Sequence, residues 1–375
     1  ALPAGPLSVA VGGEYRKDNL DAIDDGLAAR GELYRTDNGA LPVSASTDVV
    51  EAFAEAVVPL ISDMTLVKSL EVEGALRFSD YSSIGSTLAW KLAGSWAPTE
   101  DLRVRVTRSK SVRAPNIIEL FGPESRGTLN ITNDPCDVSQ INLGSPTREA
   151  NCRAFGVPVG WIDPAAALAL TTVIGGNPDL TEETSNSWTI GGVITPRFAP
   201  GLRLSADYWT IDIEDAVQTL DGNSIVDNCV DSPTINNVFC ALVTRGNFVG
   251  LPDPYAVSRI DLRQVNIGKL SAKGIDFSAA YGLELEDLSG SLSGGLNFNL
   301  SLVYLMELEE LVDATDPSSL LIEDGEYDDP TWRGRFTTSY DLDNLTVVWN
   351  MRYVGSSELD VQRTREFNVY RVPSR

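Results

Sequence analysis

The sequence predicts an all-β protein whose antiparallel strands form a transmembrane β-barrel, with short turns at one end and long loops at the other. Two observations lead to this fold class. Apolar and polar residues alternate over many segments, and the joints between those segments are alternately very short and very long. The alternation is typical of strands with one apolar and one polar face. A soluble β-sandwich or propeller with one wet face is the alternative that the pattern leaves open.

The segment 69–78, SLEVEGALRF, shows the alternation clearly. Its even-numbered residues, from Leu70 to Phe78, are apolar or glycine, whereas the odd-numbered ones include Glu71, Glu73 and Arg77. Charges at successive positions of one face suit a water-filled interior better than a packed core, where each charge would need a partner. We therefore expect the apolar face to contact lipid and the charged face to line a polar lumen.

The two-residue period recurs along the chain. It is found again in 87–96, 102–107, 202–208, 296–304 and 347–353. Aromatic residues near strand ends are expected to form interfacial girdles. They are Trp96, Tyr208, Tyr304 and Tyr353. After Tyr208 the apolar phase changes to Trp209, Ile211 and Ile213, which predicts either a bulge or a strand that leaves the bilayer.

The joints between these segments fall into two classes. Three are tight and rich in Pro, Asp, Asn and Gly: 97–101, 196–201 and 341–344. Three others are long: roughly 113–184, 216–258 and 307–331. Ordinary soluble domains rarely carry loops of this length, whereas membrane barrels do so as a rule. The joints therefore favour the barrel.

Composition excludes several classes of function. The chain has 29 basic and 53 acidic residues and a net charge of -24, which argues against nucleic acid as a partner. Histidine is absent, so histidine triads and histidine-ligated metals are excluded. The sequence contains no G-x-S-x-G motif and no phosphate-binding loop. It also has no run of eighteen apolar residues that would predict a transmembrane helix. We expect neither an enzyme nor a cofactor.

The four cysteines form two pairs that are local in sequence, Cys136 with Cys152 and Cys229 with Cys240. Neither pair is a CxxC motif, so two local disulfides in an oxidising compartment are the favoured interpretation. Four buried thiols in a cytosolic protein are the alternative. Each disulfide would stiffen one long loop by about 2–4 kcal/mol relative to the open chain.

Two further features of the loops bear on binding. Aromatic residues there could stack on a sugar or siderophore, or could equally pack the loops together. They are Phe155, Trp161, Phe239, Phe248 and Tyr255. The segment 307–329 is rich in carboxylates, but it lacks the spacing of an EF-hand, and a solvated acidic loop is the favoured interpretation. Its weak candidates for Ca²⁺ are Asp324, Glu326, Asp328 and Asp329.

Three motifs in order resemble TonB-dependent outer-membrane receptors. They are RSKSVRAPNIIELF at 108–121, GGNPDL with the strands after it at 175–217, and NIGKLSAKGIDFSAAY at 266–281. The resemblance covers most of residues 6–355. We expect the residues that match its motifs to be structural rather than chemical. They are Arg113, Ala114, Pro115, Glu119, Leu120, Phe121, Gly176, Asn177 and Pro178. The cysteine-bearing loops look like the large-receptor branch of this family in Gram-negative bacteria.

The resemblance implies a 22-stranded barrel plugged by an N-terminal globular domain. About eleven strand candidates are present, so residues 1–375 are interpreted as part of the barrel, without the plug domain and the last strands. A half barrel has open edges and cannot stand alone in a bilayer. The remaining strands are expected in the intact protein.

The function implied by the resemblance is active transport across the outer membrane of a Gram-negative bacterium. A scarce nutrient such as an iron chelate (a siderophore complex), a vitamin or an oligosaccharide would bind at the extracellular loops. The implied partners are this ligand, TonB with its inner-membrane energy complex, outer-membrane lipid, and a surface lipoprotein or other barrel subunits. A passive porin-like or adhesive barrel is the first alternative. A soluble secreted carbohydrate-binding β-protein is the second.

Overall fold

A computed structural model of the chain describes residues 2–23, 26–29, 32, 42–130, 134–166, 168–246, 250–312, 320–359, 361 and 371–372. The strands are β1 (Ser8–Ala22), β2 (Val43–Met64), β3 (Val67–Tyr81), β4 (Gly85–Ala97), β5 (Leu102–Arg113), β6 (Ser125–Asn130), β7 (Ala169–Ile174), β8 (Glu183–Ile194), β9 (Leu202–Glu214), β10 (Val217–Gln218), β11 (Val243–Arg245), β12 (Val257–Asp261), β13 (Val265–Asn266), β14 (Lys269–Glu284), β15 (Gly295–Leu311), β16 (Leu320–Ile322), β17 (Trp332–Leu342), β18 (Leu345–Val354), β19 (Ser357–Glu358) and β20 (Arg371–Val372). The helices are α1 (Gly26–Ala29), α2 (Ile117–Phe121), α3 (Arg148–Ala154), α4 (Gly222–Asp231), α5 (Val238–Leu242) and α6 (Leu285–Leu288). None of the helices in these ranges is both long and apolar enough to cross a membrane.

The dominant element is one antiparallel sheet in which each long strand pairs with the next. Its order is β1-β2-β3-β4-β5-β8-β9-β14-β15-β17-β18, and the short β16 pairs with β15, which makes twelve strands. The strands skipped within this order, β6, β7 and β10 to β13, belong to the long loops, and β19 and β20 after β18 pair with each other. The sheet is therefore an up-and-down meander of eleven long strands, as the period-two segments predict. Strands β1 and β18 form its two edges.

The register separates the sheet into two faces. Residues opposite each other on neighbouring antiparallel strands share a face, so the predicted apolar residues align across the sheet. Leu76 pairs with Trp90, and Phe78 pairs with Leu88. Half or more of the surface of Leu76 is exposed. The face that carries these residues and those in register with them is called the apolar face. The other side of the sheet is called the polar face.

The polar face holds charged side chains that pair with one another across strands. Arg105 on β5 reaches past β8 to Asp207 on β9, with Nε–Oδ1 and Nη2–Oδ2 distances of 2.8 and 2.7 Å. Lys91 pairs with Glu73 on the adjacent strand. A sheet face that carries this many charged side chains agrees with the predicted polar lumen.

The two ends of the sheet differ in loop length. At one end the joints between sheet strands are short: 65–66, 98–101, 195–201, 285–294 and 343–344. At the other end they are 23–42, 82–84, 114–182, 215–268 and 312–331. Joint 82–84 departs from the expected alternation, because β3 and β4 close in a tight hairpin. The predicted loop 307–331 begins later, because β15 continues to Leu311 and takes in three of the acidic residues.

Two features near the loop end of the sheet concern the predicted aromatic girdles and the phase change on β9. On the apolar face, Tyr304 stacks on Trp332 at the loop end with ring centroids 4.6 Å apart. The register of β9 with both neighbours is continuous, so β9 carries no bulge. Beyond Tyr208 the apolar face becomes polar instead, beginning with Thr210. The structure therefore excludes the predicted bulge, and the other explanation, a strand that leaves the bilayer, stays a prediction.

The two longest loops fold together into a compact unit. This unit, residues 114–182 and 215–268, is called the loop domain. Its four-stranded sheet has the order β11-β12-β7-β6, and helices α3, α4 and α5 complete it. Helix α4 begins where the Asp221 carboxylate accepts hydrogen bonds from two backbone N–H groups, and it buries Ile225, Val226, Cys229 and Val230. The loop domain therefore has a hydrophobic core of its own.

Candidate functional site

The family-like motif at 113–121 builds the point where β5 leaves the sheet. The Arg113 guanidinium pairs with Glu119, with Nη1–Oε distances of 3.1 and 3.0 Å, and with Glu183 at the start of β8. The Asn116 side chain caps helix α2, and the Glu119 carboxylate accepts a hydrogen bond from the Asn116 N–H. Leu120 and Pro115 of the motif are buried, and Ala114 and Phe121 are partly buried. This capping box fixes the direction in which the loop domain leaves the sheet.

The second motif, GGNPDL, docks onto the first. The Gly176 N–H donates to the Gly122 carbonyl at 2.9 Å, and the Asn177 N–H donates to the Glu119 carbonyl at 2.7 Å. A Cβ on Gly176 would lie 2.4 Å from the Gly122 nitrogen, so only glycine fits. Pro178 follows in the same turn. These contacts are consistent with the structural role expected of both motifs.

An open cleft of about 560 Å³ lies on the polar face where α2 overhangs the loop ends of β1 and β2. Its polar lining comes from Arg16, Asp18 and Tyr81 on the sheet and from Arg113 beside α2. Arg16 pairs with Asp18 at 3.6 Å. The cleft thus offers cationic, anionic and hydroxyl groups on the polar face, next to the loop domain.

Ion pairs join the two halves of the loop domain. Arg148 on α3 donates from Nε to Asp231 Oδ1 at 2.7 Å and pairs through Nη2 with Asp227 at 3.1 Å, both on α4. Burial alone would raise the pKa of Asp231, but the Arg148 guanidinium and the Ser145 N–H and hydroxyl outweigh it and hold that pKa below its usual range. For Asp227, burial prevails and the pKa is raised.

A second pair is almost completely buried. Arg245 on β11 contacts both oxygens of Asp134, with Nη1–Oδ2 and Nη2–Oδ1 distances of 2.8 and 2.9 Å, and the side chains are only 6% and 1% exposed. Its guanidinium also lies 5.6 Å from the Phe155 ring centroid. No local sequence signal identifies these pairs, because the partners are 111 and 83 residues apart.

Both expected disulfides are present, Cys136–Cys152 and Cys229–Cys240, and the described residues contain no free cysteine. Each closes one of the two long loops. All four cysteines are buried in the core of the loop domain, so the disulfides cross-link its interior and not its surface.

The aromatic ligand candidates are placed in or against this core. Phe239 is fully buried and Trp161 nearly so, with the Trp161 Nε1–H donating to Asp253 at 3.2 Å. Phe155 and Tyr255 are partly buried and pack against the core. Phe248 lies outside the described residues. The structure thus favours the packing role for the four described rings, and a role in binding stays a prediction.

The Ca²⁺ candidates lie in the segment 320–331. The Glu326 carboxylate accepts a bond from the Val361 N–H at 3.1 Å, and Asp329 lies 4.0 Å from Arg333. Asp328 is exposed, and the Asp324 carboxylate lies 3.5 Å from the Leu308 nitrogen. Within the described ranges no three His, Cys, Asp or Glu side chains are arranged to hold a metal ion.

Charge is concentrated at the loop end. The joints 23–42, 114–182, 215–268 and 312–331 contain 25 acidic and 8 basic residues. The loop domain has six arginines. Arg148, Arg153, Arg245 and Arg263 form ion pairs with carboxylates, and the charge of Arg259 lowers the pKa of Asp261. The net field at this end is therefore negative, which attracts cations and repels anions.

Comparisons with known proteins agree with the fold. The profile of the family described as TonB dependent receptor-like, beta-barrel matches residues 3–374. A search of curated proteins found no match. Among solved structures, a ferric enterobactin receptor (PfeA) mutant from Pseudomonas aeruginosa is 14% identical, with a TM-score of 0.56 over 94% of this chain and 39% of that one. The siderophore receptor PirA from Acinetobacter baumannii is 15% identical, with a TM-score of 0.54 over 95% of this chain and 40% of that one.

These two likenesses are below 25% identity and show the fold alone. The chain spans about 40% of the length of these solved structures. The family match covers nearly all of the chain and agrees with the eleven-stranded meander, the opposed apolar and polar faces and the long joints at one end. The chain belongs to the TonB-dependent receptor-like β-barrel family.

Proposed function

We propose that this chain is the barrel portion of an outer-membrane receptor that imports a scarce nutrient with energy from the TonB complex. The observation that carries the proposal is the cleft on the polar face beside the disulfide-bonded loop domain. A ligand held there would already be at the mouth of the polar interior. Because its own core already orders the loop domain, less entropy is lost when a ligand binds beside it.

The polar face supplies the physical basis for passage. Some of its charges are paired across strands, as in Arg105–Asp207. Others have no ion pair among the described residues, as for Arg335, which lies opposite Arg352, so a solute meets both neutral pairs and single charges. The apolar face supplies the lipid contact that an outer-membrane location requires. The N-terminal plug domain, the remaining strands and the contact with TonB are proposed to lie in the rest of the protein, with residues 1–375 forming part of the barrel.

The negative loop end bears on the chemistry of the ligand. A field of this sign lowers the local concentration of anions and raises that of cations. We therefore propose a neutral or cationic nutrient, such as a neutral ferric chelate, a vitamin or an oligosaccharide. The solved structures are named as ferric enterobactin and siderophore receptors, which supports an iron chelate as the class of nutrient but has no bearing on its charge.

The test uses the full-length protein in cells whose other receptors of this kind are deleted. Outer membranes are isolated, and uptake of a panel of neutral and anionic ferric chelates, cobalamin and oligosaccharides is measured with and without TonB. We expect the protein in the outer-membrane fraction and TonB-dependent uptake of one neutral or cationic compound. Uptake that persists without TonB would indicate the passive channel. A protein that remains soluble without detergent would refute the barrel function altogether.

A further inference from the structure

Two cations stand on the apolar face of β5, near its loop end. The residues of β5 on this face run Leu102, Val104, Val106 and then Arg108 and Lys110. Because side chains alternate along a strand, Arg108 and Lys110 continue the row of apolar residues and do not point to the polar face. The two cations thus interrupt the apolar row between Val106 and Val112, near the loop end of this strand.

Each of these cations lies beside a tryptophan. Arg108 pairs in register with Trp188 on β8, and its guanidinium carbon lies 4.7 Å from the Trp188 ring centroid. Lys110 pairs in register with Trp90 on β4. Trp188 is 43% exposed. Tryptophan next to a basic residue is the arrangement found where a membrane protein passes from hydrocarbon to headgroups.

Two other cations on this face, both on β14, are neutralised by carboxylates. On β14, Lys273 contacts Glu307 at 2.5 Å, and Lys269 contacts Glu214 at 3.3 Å. Within the described residues, Arg108 and Lys110 have no carboxylate at ion-pair distance, although the chain as a whole is strongly acidic. The charges of Arg108 and Lys110 are therefore not neutralised by the described carboxylates. An external anion could neutralise them.

We propose that Arg108 and Lys110, supported by Trp188 and Trp90, bind the phosphate groups of an outer-leaflet lipid. The planar guanidinium suits bidentate contact with a phosphate, and the ammonium about two residues, or roughly 7 Å, away adds a second point of contact. The tryptophan rings pack against the first part of the acyl chains or the sugar of the headgroup. This proposal rests on the outer-membrane location proposed above.

The experiment measures lipid binding to the full-length receptor in mild detergent by native mass spectrometry. The probe is an acylated diglucosamine that carries two phosphates, and its dephosphorylated form is the lipid control. Three proteins are compared: wild type, the double variant Arg108→Gln/Lys110→Gln, and Lys269→Gln. The last removes a cation from the same face, but one that Glu214 already neutralises.

We expect the double variant to bind the phosphorylated lipid about 25-fold more weakly, about fivefold for each cation removed. Lys269→Gln should stay within twofold of wild type, and the dephosphorylated lipid should bind weakly to all three. Equal binding by wild type and double variant, or no preference of wild type for the phosphorylated lipid, would overturn the site. The same holds if inorganic phosphate at equal concentration displaces the lipid completely, since the site would then recognise free anions.

The two proposals fail in different ways. Membrane fractionation of the same wild-type preparation reports on location and does not depend on Arg108 or Lys110. A receptor in the outer membrane that shows no phosphate preference refutes the lipid site alone. A receptor absent from the outer membrane refutes the proposed function, and the lipid site with it.

Discussion

Replacing Arg148 with glutamine should uncouple the two halves of the loop domain. The side chain is 8% exposed and bridges α3 to Asp231 and Asp227 on α4. Its Nη1 also donates to the Gln140 carbonyl at 3.2 Å. Glutamine keeps part of the side-chain volume but removes the charge. Two carboxylates are then left close together without a cation.

The size of the effect follows from the burial of the pair. Removing one partner of a buried ion pair costs about 3–5 kcal/mol. The Asp231 side chain keeps 20% of its exposure, so part of its charge remains solvated and the lower end of this range applies. A loss of about 3 kcal/mol raises the population in which α3 and α4 separate by about 100-fold.

Hydrogen exchange of the full-length receptor measures this opening directly. The informative amides are those of Asn151, bonded to the Thr147 carbonyl, and Ser232, bonded to the Asn228 carbonyl. We expect their exchange to accelerate about 100-fold in Arg148→Gln, while amides of the barrel sheet keep their rates. The matched control is Arg126→Gln in the same domain, because Arg126 is exposed on β6 and forms no ion pair with any of the described residues.

A second change tests the cause. Adding Asp231→Asn to Arg148→Gln removes the stranded charge, so protection of these amides should recover in part. An acceleration of less than fivefold in Arg148→Gln would show that the ion pair does not hold the two loops together. If the double variant exchanges faster than the single one, the interactions lost by replacing the Asp231 carboxylate outweigh the repulsion that this replacement relieves.

Three further predictions concern the loop domain and the motifs. The pKa of Asp231 is lowered in the folded protein, so its stabilisation is present above the unfolded-state pKa and is lost as the pH falls through the folded value. Thermal melts of the loop domain between pH 7 and pH 3 should therefore show a decline confined to the acid end, and Asp231→Asn should flatten it. Gly176→Ala should sharply reduce the folded receptor recovered from outer membranes, because its Cβ meets backbone, whereas Gly290→Ala, in open space, should leave recovery unchanged. Replacing Cys229 and Cys240 with serine should increase proteolysis of the loop domain, by a loss of about 2–3 kcal/mol, and unchanged cleavage would contradict the stapling role.

The strand pattern was well predicted because it depends on local chemistry. A period of two in SLEVEGALRF requires only that one face be apolar and the other polar, and β3 contains this segment in full. The disulfide pairs were also accessible, since their partners are 16 and 11 residues apart. The end of β15 was misplaced because its last residues are acidic, and acidic runs usually indicate a loop. Pairing with Lys273 and Ser271 of β14 keeps Glu307 in the strand.

The loop domain could not be predicted from the same reasoning. Its sheet pairs β7 with β12 in parallel, across more than eighty residues, and its ion pairs join loops that are separate in sequence. Contacts of this kind depend on how the ends of β5, β8, β9 and β14 are placed side by side. The aromatic rings of the loops carry no periodic signal, so their packing against one core became visible only in the structure.

By itself, the sequence determined the antiparallel strands, the two faces of the sheet, the loop-rich end, the local disulfides and the motifs that carry the family resemblance. Each of these depends on residues that are neighbours in the chain or that alternate along a strand. Only the tertiary structure decided that two loops form one domain and that the cleft opens on the polar face beside it. It also decided that Arg108 and Lys110 lie next to tryptophans, with no acidic partner among the described residues. These features depend on side chains that register and loop packing bring together, and no local pattern specifies which distant residues will meet.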